Sequence, residues 1–194
     1  MPNFAAFISY VFVTTFTPGP NNIMSMSNAS RYGLKKSLGF NYGVSIGFFI
    51  VLMLSNLFSY SLYELIPTIK PVMTVIGAAY IFYLAWKTYK SKPHNEVDES
   101  KRTNTFSKGI LLQFVNPKAI IYGITLSATF IVPYYKSIPI LALFAALLSV
   151  IALLSTVTWG LFGSVFQKLM EKNYKIINAV MAALLVYSGV SLFL

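Results

Sequence analysis

Met1 to Ser30 is thirty consecutive residues without a Lys, Arg, Asp or Glu. A hydrocarbon layer about 30 Å thick is crossed by about 20 apolar residues in a helix, so this run is long enough to span a membrane. Yet Pro18, Gly19 and Pro20 stand in its middle, in "FTPGPNNIM" at 16–24. Pro and Gly are the residues that a helix interior tolerates least. Any fold must therefore explain a membrane helix broken halfway.

Five further uncharged or nearly uncharged runs follow: Leu38 to Tyr63, Pro67 to Trp86, Ser107 to Pro133, Ser137 to Gln167 and Ile176 to Leu194. Only 10% of the 194 residues are charged, and the mean hydropathy is +0.67. Soluble domains carry about 25% charged residues. The expectation is one all-α integral membrane domain over 1–194, with six transmembrane helices. The loops test that count. The first, third and fifth carry twelve basic residues, and the second and fourth carry two. Basic residues collect on the cytoplasmic side, so the odd loops face the cytoplasm and both termini lie outside it. The same rule accounts for the formal net charge of +10 without nucleic acid as a partner. The chain has no Cys, which removes thiolate chemistry and disulfides.

"YKSKPHNEVDESKRTNTFS", 89–107, is the only extended hydrophilic stretch. It reads as a cytoplasmic linker, about 89–106, between a first repeat at about 1–88 and a second at about 107–194. His94 has no second His or Cys beside it and reads as a solvated loop residue. Glu96, Asp98 and Glu99 read as solvating the linker. No metal site and no cofactor are expected.

Three spans on each side is an odd number, so two related halves would insert upside down relative to one another. Transporters built on inverted repeats bind substrate near the midplane, on interrupted helices. A matching pair of breaks is present. "TFTPGPNN", 15–22, lies in the first span of one half, and "LQFVNPKAI", 112–120, in the first span of the other. Pro18 is thirteen residues from Arg31, and Pro117 is nine from Lys108. At 1.5 Å per residue the breaks lie about 20 Å and about 13 Å inside the cytoplasmic boundary.

Proline has no N–H, so the carbonyls of Thr14, Phe16 and Gln113 lose their helical partners. Unpaired backbone at that depth is tolerated only inside protein or along a wet cavity. Past the first break, the N–H groups of Asn21, Asn22 and Ile23 would open a new helix and favour a carboxylate. Lys118 is the only charged residue deep in a span, where a charge by default marks function; snorkelling toward the cytoplasmic side is its plain alternative. The candidate translocation residues are Pro18, Gly19, Pro20, Asn21, Asn22, Gln113, Asn116, Pro117 and Lys118. Thr14, Tyr122, Thr125, Thr156 and Trp159 are candidate liners. The expected ligand is a small zwitterion, its carboxylate on Lys118 and its ammonium on the freed carbonyls, Asn21, Asn22 and Asn116. Gly39, Gly43 and Gly47, four apart, form a small face for close helix contact, within the chain or in a homodimer.

"TPGPNN" at 17–22 and "LLQFVNPKAIIYG" at 111–123 resemble the signatures of the LysE/RhtB amino-acid exporter superfamily, and the resemblance covers essentially the whole chain. "GAAYIFYLAWK", 77–87, and "NAVMAALLVYSGV", 178–190, are similar to its cysteine/O-acetylserine exporter branch. The resemblance implies export of small amino acids across the bacterial inner membrane, driven by protons. Pro18, Gly19, Pro20 and Asn21 match the first signature, and Asn116, Pro117 and Lys118 the second. These motifs do not set substrate specificity.

The expected function is therefore a secondary transporter exporting small neutral amino acids or derivatives by alternating access, with protons and membrane lipid as its other partners. No Asp, Glu or His lies deep in a span, which leaves Lys118 as the candidate proton carrier. The alternatives are a small-solute channel with the breaks as its constriction, and an exporter of threonine/homoserine or basic amino acids. An enzyme is excluded on the absence of Cys, intramembrane His and paired carboxylates. A purely structural protein would leave Lys118 and the paired breaks without a purpose.

Overall fold

The structure, a computed structural model, describes residues 4–90, 103–165, 173–190 and 193. His94 and the cluster Glu96, Asp98 and Glu99 lie outside the described residues, as do the Glu64 side chain and Lys168 and Lys172 of the fifth loop. The described residues are all-α. The helices are α1 (Phe4–Phe16), α2 (Pro20–Tyr32), α3 (Leu34–Leu57), α4 (Ser59–Tyr89), α5 (Phe106–Val115), α6 (Pro117–Thr125), α7 (Ile138–Val165) and α8 (Tyr174–Val190). A π-helical segment, Leu126–Ile131, continues α6, and its wider turn is closed by Val132 N–H donating to Ser127 O, five residues back, at 2.9 Å.

Both proline motifs interrupt a helix. Thr17, Pro18 and Gly19 separate α1 from α2, and Pro20 takes the first position of α2, where a missing N–H costs nothing. Asn116 separates α5 from α6, and the chain bends by 67° there. The Asn116 side chain caps the new helix, accepting from Lys118 N–H at 3.1 Å, so one of the orphan donors at a helix start is satisfied. Between α2 and α3 the chain turns at Gly33 alone, with φ +81°, a conformation that glycine adopts without penalty.

The second expected loop, around Glu64 to Lys70, is not a loop. Phe58 is the joint, and 59–89 is one helix. At 1.5 Å per residue, 31 residues reach about 46 Å, beyond the hydrocarbon layer. Charges at 64 and 70 mark a boundary of polarity there without ending the helix.

By length and composition, α3 and α7 can each cross a membrane, and α5 with α6 and its π extension makes a third, bent span. Membrane residence is also written on the surface. α7 leaves Leu143, Leu147, Val150, Leu154 and Leu161 exposed, a stripe at helical spacing that a bilayer would cover. This is a multi-pass membrane protein.

Two apolar clusters stand on either side of the breaks. One joins Phe7 and Val11 of α1 to Phe48 and Leu52 of α3, Leu126 of the π segment, and Leu141, Ala145 and Leu148 of α7. The other joins Ile23 and Met24 of α2 to Phe40 and Val44 of α3, Ile81 and Leu84 of α4, Leu112 of α5, and Met181 and Leu185 of α8. The breaks lie in the polar layer between them.

The glycine face of α3 is buried inside the chain. A Cβ at Gly43 would stand 2.0 Å from Phe106 O, and one at Gly47 would stand 2.8 Å from the Gln113 side chain. Gly109 of α5 answers them, 2.3 Å from Phe40 O on the same measure. The backbones of α3 and α5 meet because none of the three carries a side chain. The face offered above as ground for a homodimer is thus filled by α5.

Candidate functional site

The first break is held together by side chains. Asn22 Nδ2 donates to the carbonyls of Thr15 at 2.9 Å and Thr17 at 3.0 Å, clamping the end of α1 onto the start of α2. Ser155 of α7 donates to Thr15 O at 2.9 Å, and Trp159 Nε1 to Phe16 O at 3.2 Å. Thr14 O accepts from the Thr17 hydroxyl at 3.2 Å, a hydroxyl that also bonds to Val13 O. The carbonyls of Thr14 and Phe16, expected to wait for a substrate ammonium, are thus already engaged. Buried carbonyls without partners would cost about 1–3 kcal/mol each, and the Thr17 hydroxyl and Trp159 of α7 supply what the two prolines removed. The N–H of Ile23 is engaged too, donating to Gly19 O at 2.9 Å. That leaves Asn21 and Asn22 as the backbone donors of the α2 terminus without an intrahelical acceptor.

The two breaks are tied to each other by amides. Asn21 and Gln113 exchange reciprocal bonds, Asn21 Nδ2 to Gln113 Oε1 at 3.0 Å and Gln113 Nε2 to Asn21 Oδ1 at 2.9 Å. Asn116 Nδ2 donates to the same Asn21 Oδ1 at 3.2 Å. Gln113 and Asn116 are buried, at 0% and 2% exposure. Asn21, Gln113 and Asn116 therefore brace one half against the other. Pro117 has a packing role beside them, since a Cβ on Gly77 of α4 would fall 2.1 Å from its ring.

Two adjoining cavities open at this layer. A cavity of about 50 Å³ is lined by Thr14, Gly19, Pro20, Asn21, Asn22, Asn116, Lys118, Tyr122 and Thr156 among the expected residues, together with Thr15, Phe48, Ala119 and Ala152. A larger one of about 390 Å³ shares Thr14, Pro20, Asn116, Lys118 and Tyr122 with it, and adds Pro18, Tyr10, Ile121, Tyr187 and Ser188. Lys118 stands on the common wall, with Nζ 3.4 Å from both the carbonyl and the hydroxyl of Thr17.

Gln113, Pro117, Thr125 and Trp159 line neither cavity. Gln113 and Trp159 act as braces, and Pro117 as a wedge against α4. Of the liners that sequence reasoning left out, Thr15 begins the "TFTPGPNN" stretch and Ala119 follows Lys118, so both had a local signal. Phe48 and Ala152 had none, because only tertiary packing brings α3 and α7 to the breaks.

Comparison with known proteins finds relatives over nearly the whole chain. Residues 12–194 match the family model described as LysE type translocator. A cysteine/O-acetylserine efflux protein of Klebsiella pneumoniae subsp. pneumoniae is 39% identical over 186 residues, covering 96% of this chain and 94% of the relative. The protein of that name in Escherichia coli (strain K12) is 38% identical over 189 residues, covering 97% and 96%. No solved structure matches the chain.

Proposed function

The chain belongs to the LysE type translocator family, and on that premise we propose that it exports small neutral amino acids or derivatives, of the cysteine/O-acetylserine kind, from the bacterial cytoplasm across the inner membrane. It does so by proton antiport with alternating access. The observation that carries this reading is Lys118, the one cation among the described residues on the wall of a cavity where two broken helices meet. Lys118 and the N–H groups of Asn21 and Asn22 together favour a carboxylate. Lys118 is also the group proposed to alternate between the substrate carboxylate and a proton.

The proposed topology is six spans in two inverted repeats, about 1–88 and about 107–194, with both termini outside. Proline breaks in corresponding helices support it. Under that topology the larger cavity opens outward, since Tyr10 and Tyr187 lie toward the termini.

Purified protein in liposomes preloaded with labelled O-acetylserine, cysteine, serine, threonine or lysine tests the reading. Saturable efflux of the small neutral substrates, quickened by an opposing proton gradient and lost in Lys118→Ala, is expected. Counterflow separates a carrier from an open pore. Efflux that is unsaturable, or indifferent to the gradient and to Lys118, would overturn the mechanism.

A further inference from the structure

Resting on the export reading, we propose that the Thr15–Tyr122 hydroxyl pair is the specificity element of the cavity, selecting small amino acids whose β-substituent carries a hydrogen-bond acceptor.

Thr15 Oγ1 and Tyr122 Oη lie 3.0 Å apart, one at the end of α1 and the other on α6. Both residues line the smaller cavity. Two hydroxyls own two protons, and the bond between them uses one. Neither hydroxyl has another partner among the described residues. The pair therefore presents one O–H with no acceptor in the protein, together with free lone pairs. Tyr122 is 6% exposed, so bulk water is a poor substitute. Its ring is fixed in place, stacked on Phe48 with centroids 5.5 Å apart and planes at 6°, and tilted against Tyr10 at 5.6 Å. A buried donor on a rigid ring is suited to reading a ligand.

Its distance from Lys118 sets what it reads. Lys118 and Tyr122 are four residues apart on α6, hence neighbours on one face, with Cβ atoms about 5–6 Å apart. A carboxylate held by Lys118 places the β-substituent of a short amino acid near the hydroxyl pair. The hydroxyl of serine, the thiol of cysteine or the ester oxygen of O-acetylserine can accept there. The methyl group of 2-aminobutyrate, of nearly the same shape, cannot. A site built to hydrogen-bond a substrate group rejects the analogue lacking it, because its own polar group is then left unpaired. Ala119 and Ala152 complete the wall with small side chains, leaving room for the substituent.

The test measures export of serine, cysteine and 2-aminobutyrate by the native protein, Tyr122→Phe and Thr15→Val in liposomes. It also measures binding of the same three ligands to purified protein in detergent. The native protein should prefer serine and cysteine to 2-aminobutyrate by at least ten-fold in kcat/KM. Either substitution should shrink that ratio toward one, chiefly through weaker handling of the polar substrates, while 2-aminobutyrate export holds or rises. If one variant fails to fold, the other and the binding ratio decide. A native protein that exports all three equally well would sink this inference and leave the export reading intact. So would variants that lose all three substrates in the same proportion, which would make the pair a structural brace. A native protein that neither binds nor moves any of the three overturns the export reading, and this inference with it.

Discussion

At the scale of single residues, amides and hydroxyls do the work that membrane proteins often give to charges. The Asn21–Gln113–Asn116 cluster holds the two breaks together with three bonds of 2.9–3.2 Å. Each such bond contributes about 0.5–1.5 kcal/mol net, but removing one partner leaves the others buried and unsatisfied, at about 1–3 kcal/mol. Gln113→Leu is therefore expected to lower stability by about 1–3 kcal/mol, even though leucine fills much the same volume. Thermal unfolding in detergent measures this directly. Because Gln113 lines neither cavity, its loss should act on transport through stability and break geometry, leaving the ranking of substrates unchanged. A reordered ranking would return Gln113 to the list of substrate-binding residues.

At the scale of elements, glycine decides how closely helices approach. In α3 two glycines four residues apart have opposite prospects. A side chain at Gly43 would collide with Phe106 O, whereas one at Gly39 would meet nothing nearer than Asn104 O at 3.6 Å. Gly43→Ala must push α5 away, at a cost of about 1–3 kcal/mol. Gly39→Ala should stabilise the protein by about 0.5–1 kcal/mol through helix propensity alone. Unfolding midpoints of the two variants, moving in opposite directions, check this contact. The sequence made this face visible but left its partner undecided between another helix of the chain and a second copy of it. The breaks were legible for a local reason: proline's missing N–H and the Asn116 cap act within four residues. The place of Lys118 on the cavity wall was legible because a charge in an apolar run stands out. What repairs the breaks was not legible, since Ser155 and Trp159 reach Thr15 and Phe16 across about 140 positions of sequence. No local pattern encodes such a pairing. The extent of α4 was hidden too, because charge marks where polarity changes and a helix runs on past that point.

At the scale of the whole molecule, the described residues differ on the two sides of the polar layer. The larger cavity reaches past Tyr10 and Tyr187 on one side of the breaks. On the other, α2, α3, α5 and α7 close together. Asn28 and Thr103 exchange bonds of 2.6 Å and 3.3 Å, and Asn104 Nδ2 donates to Lys36 O at 3.0 Å. Deeper in, Ser25 Oγ lies 2.8 Å from Asn41 Oδ1 and 2.6 Å from Thr156 O. Such a seal is made of few bonds, each contributing about 1 kcal/mol. Two states separated by a few kcal/mol interconvert readily, and a ligand shifts them by its differential affinity. The alternating access proposed above requires the Asn28–Thr103 contact to part once in every cycle. The chain has no Cys, so Asn28→Cys with Thr103→Cys creates a unique thiol pair. A short bifunctional thiol reagent should join the two and abolish counterflow, and a reductant should restore it, while each single variant transports normally under the same treatment. Substrate binding from the side of Tyr10 and Tyr187 should survive the cross-link, because the Lys118 cavity lies on the far side of the Asn21–Gln113–Asn116 brace. Counterflow that continues with the pair fully joined would mean that this side never opens, and would require the substrate to reach Lys118 by another route.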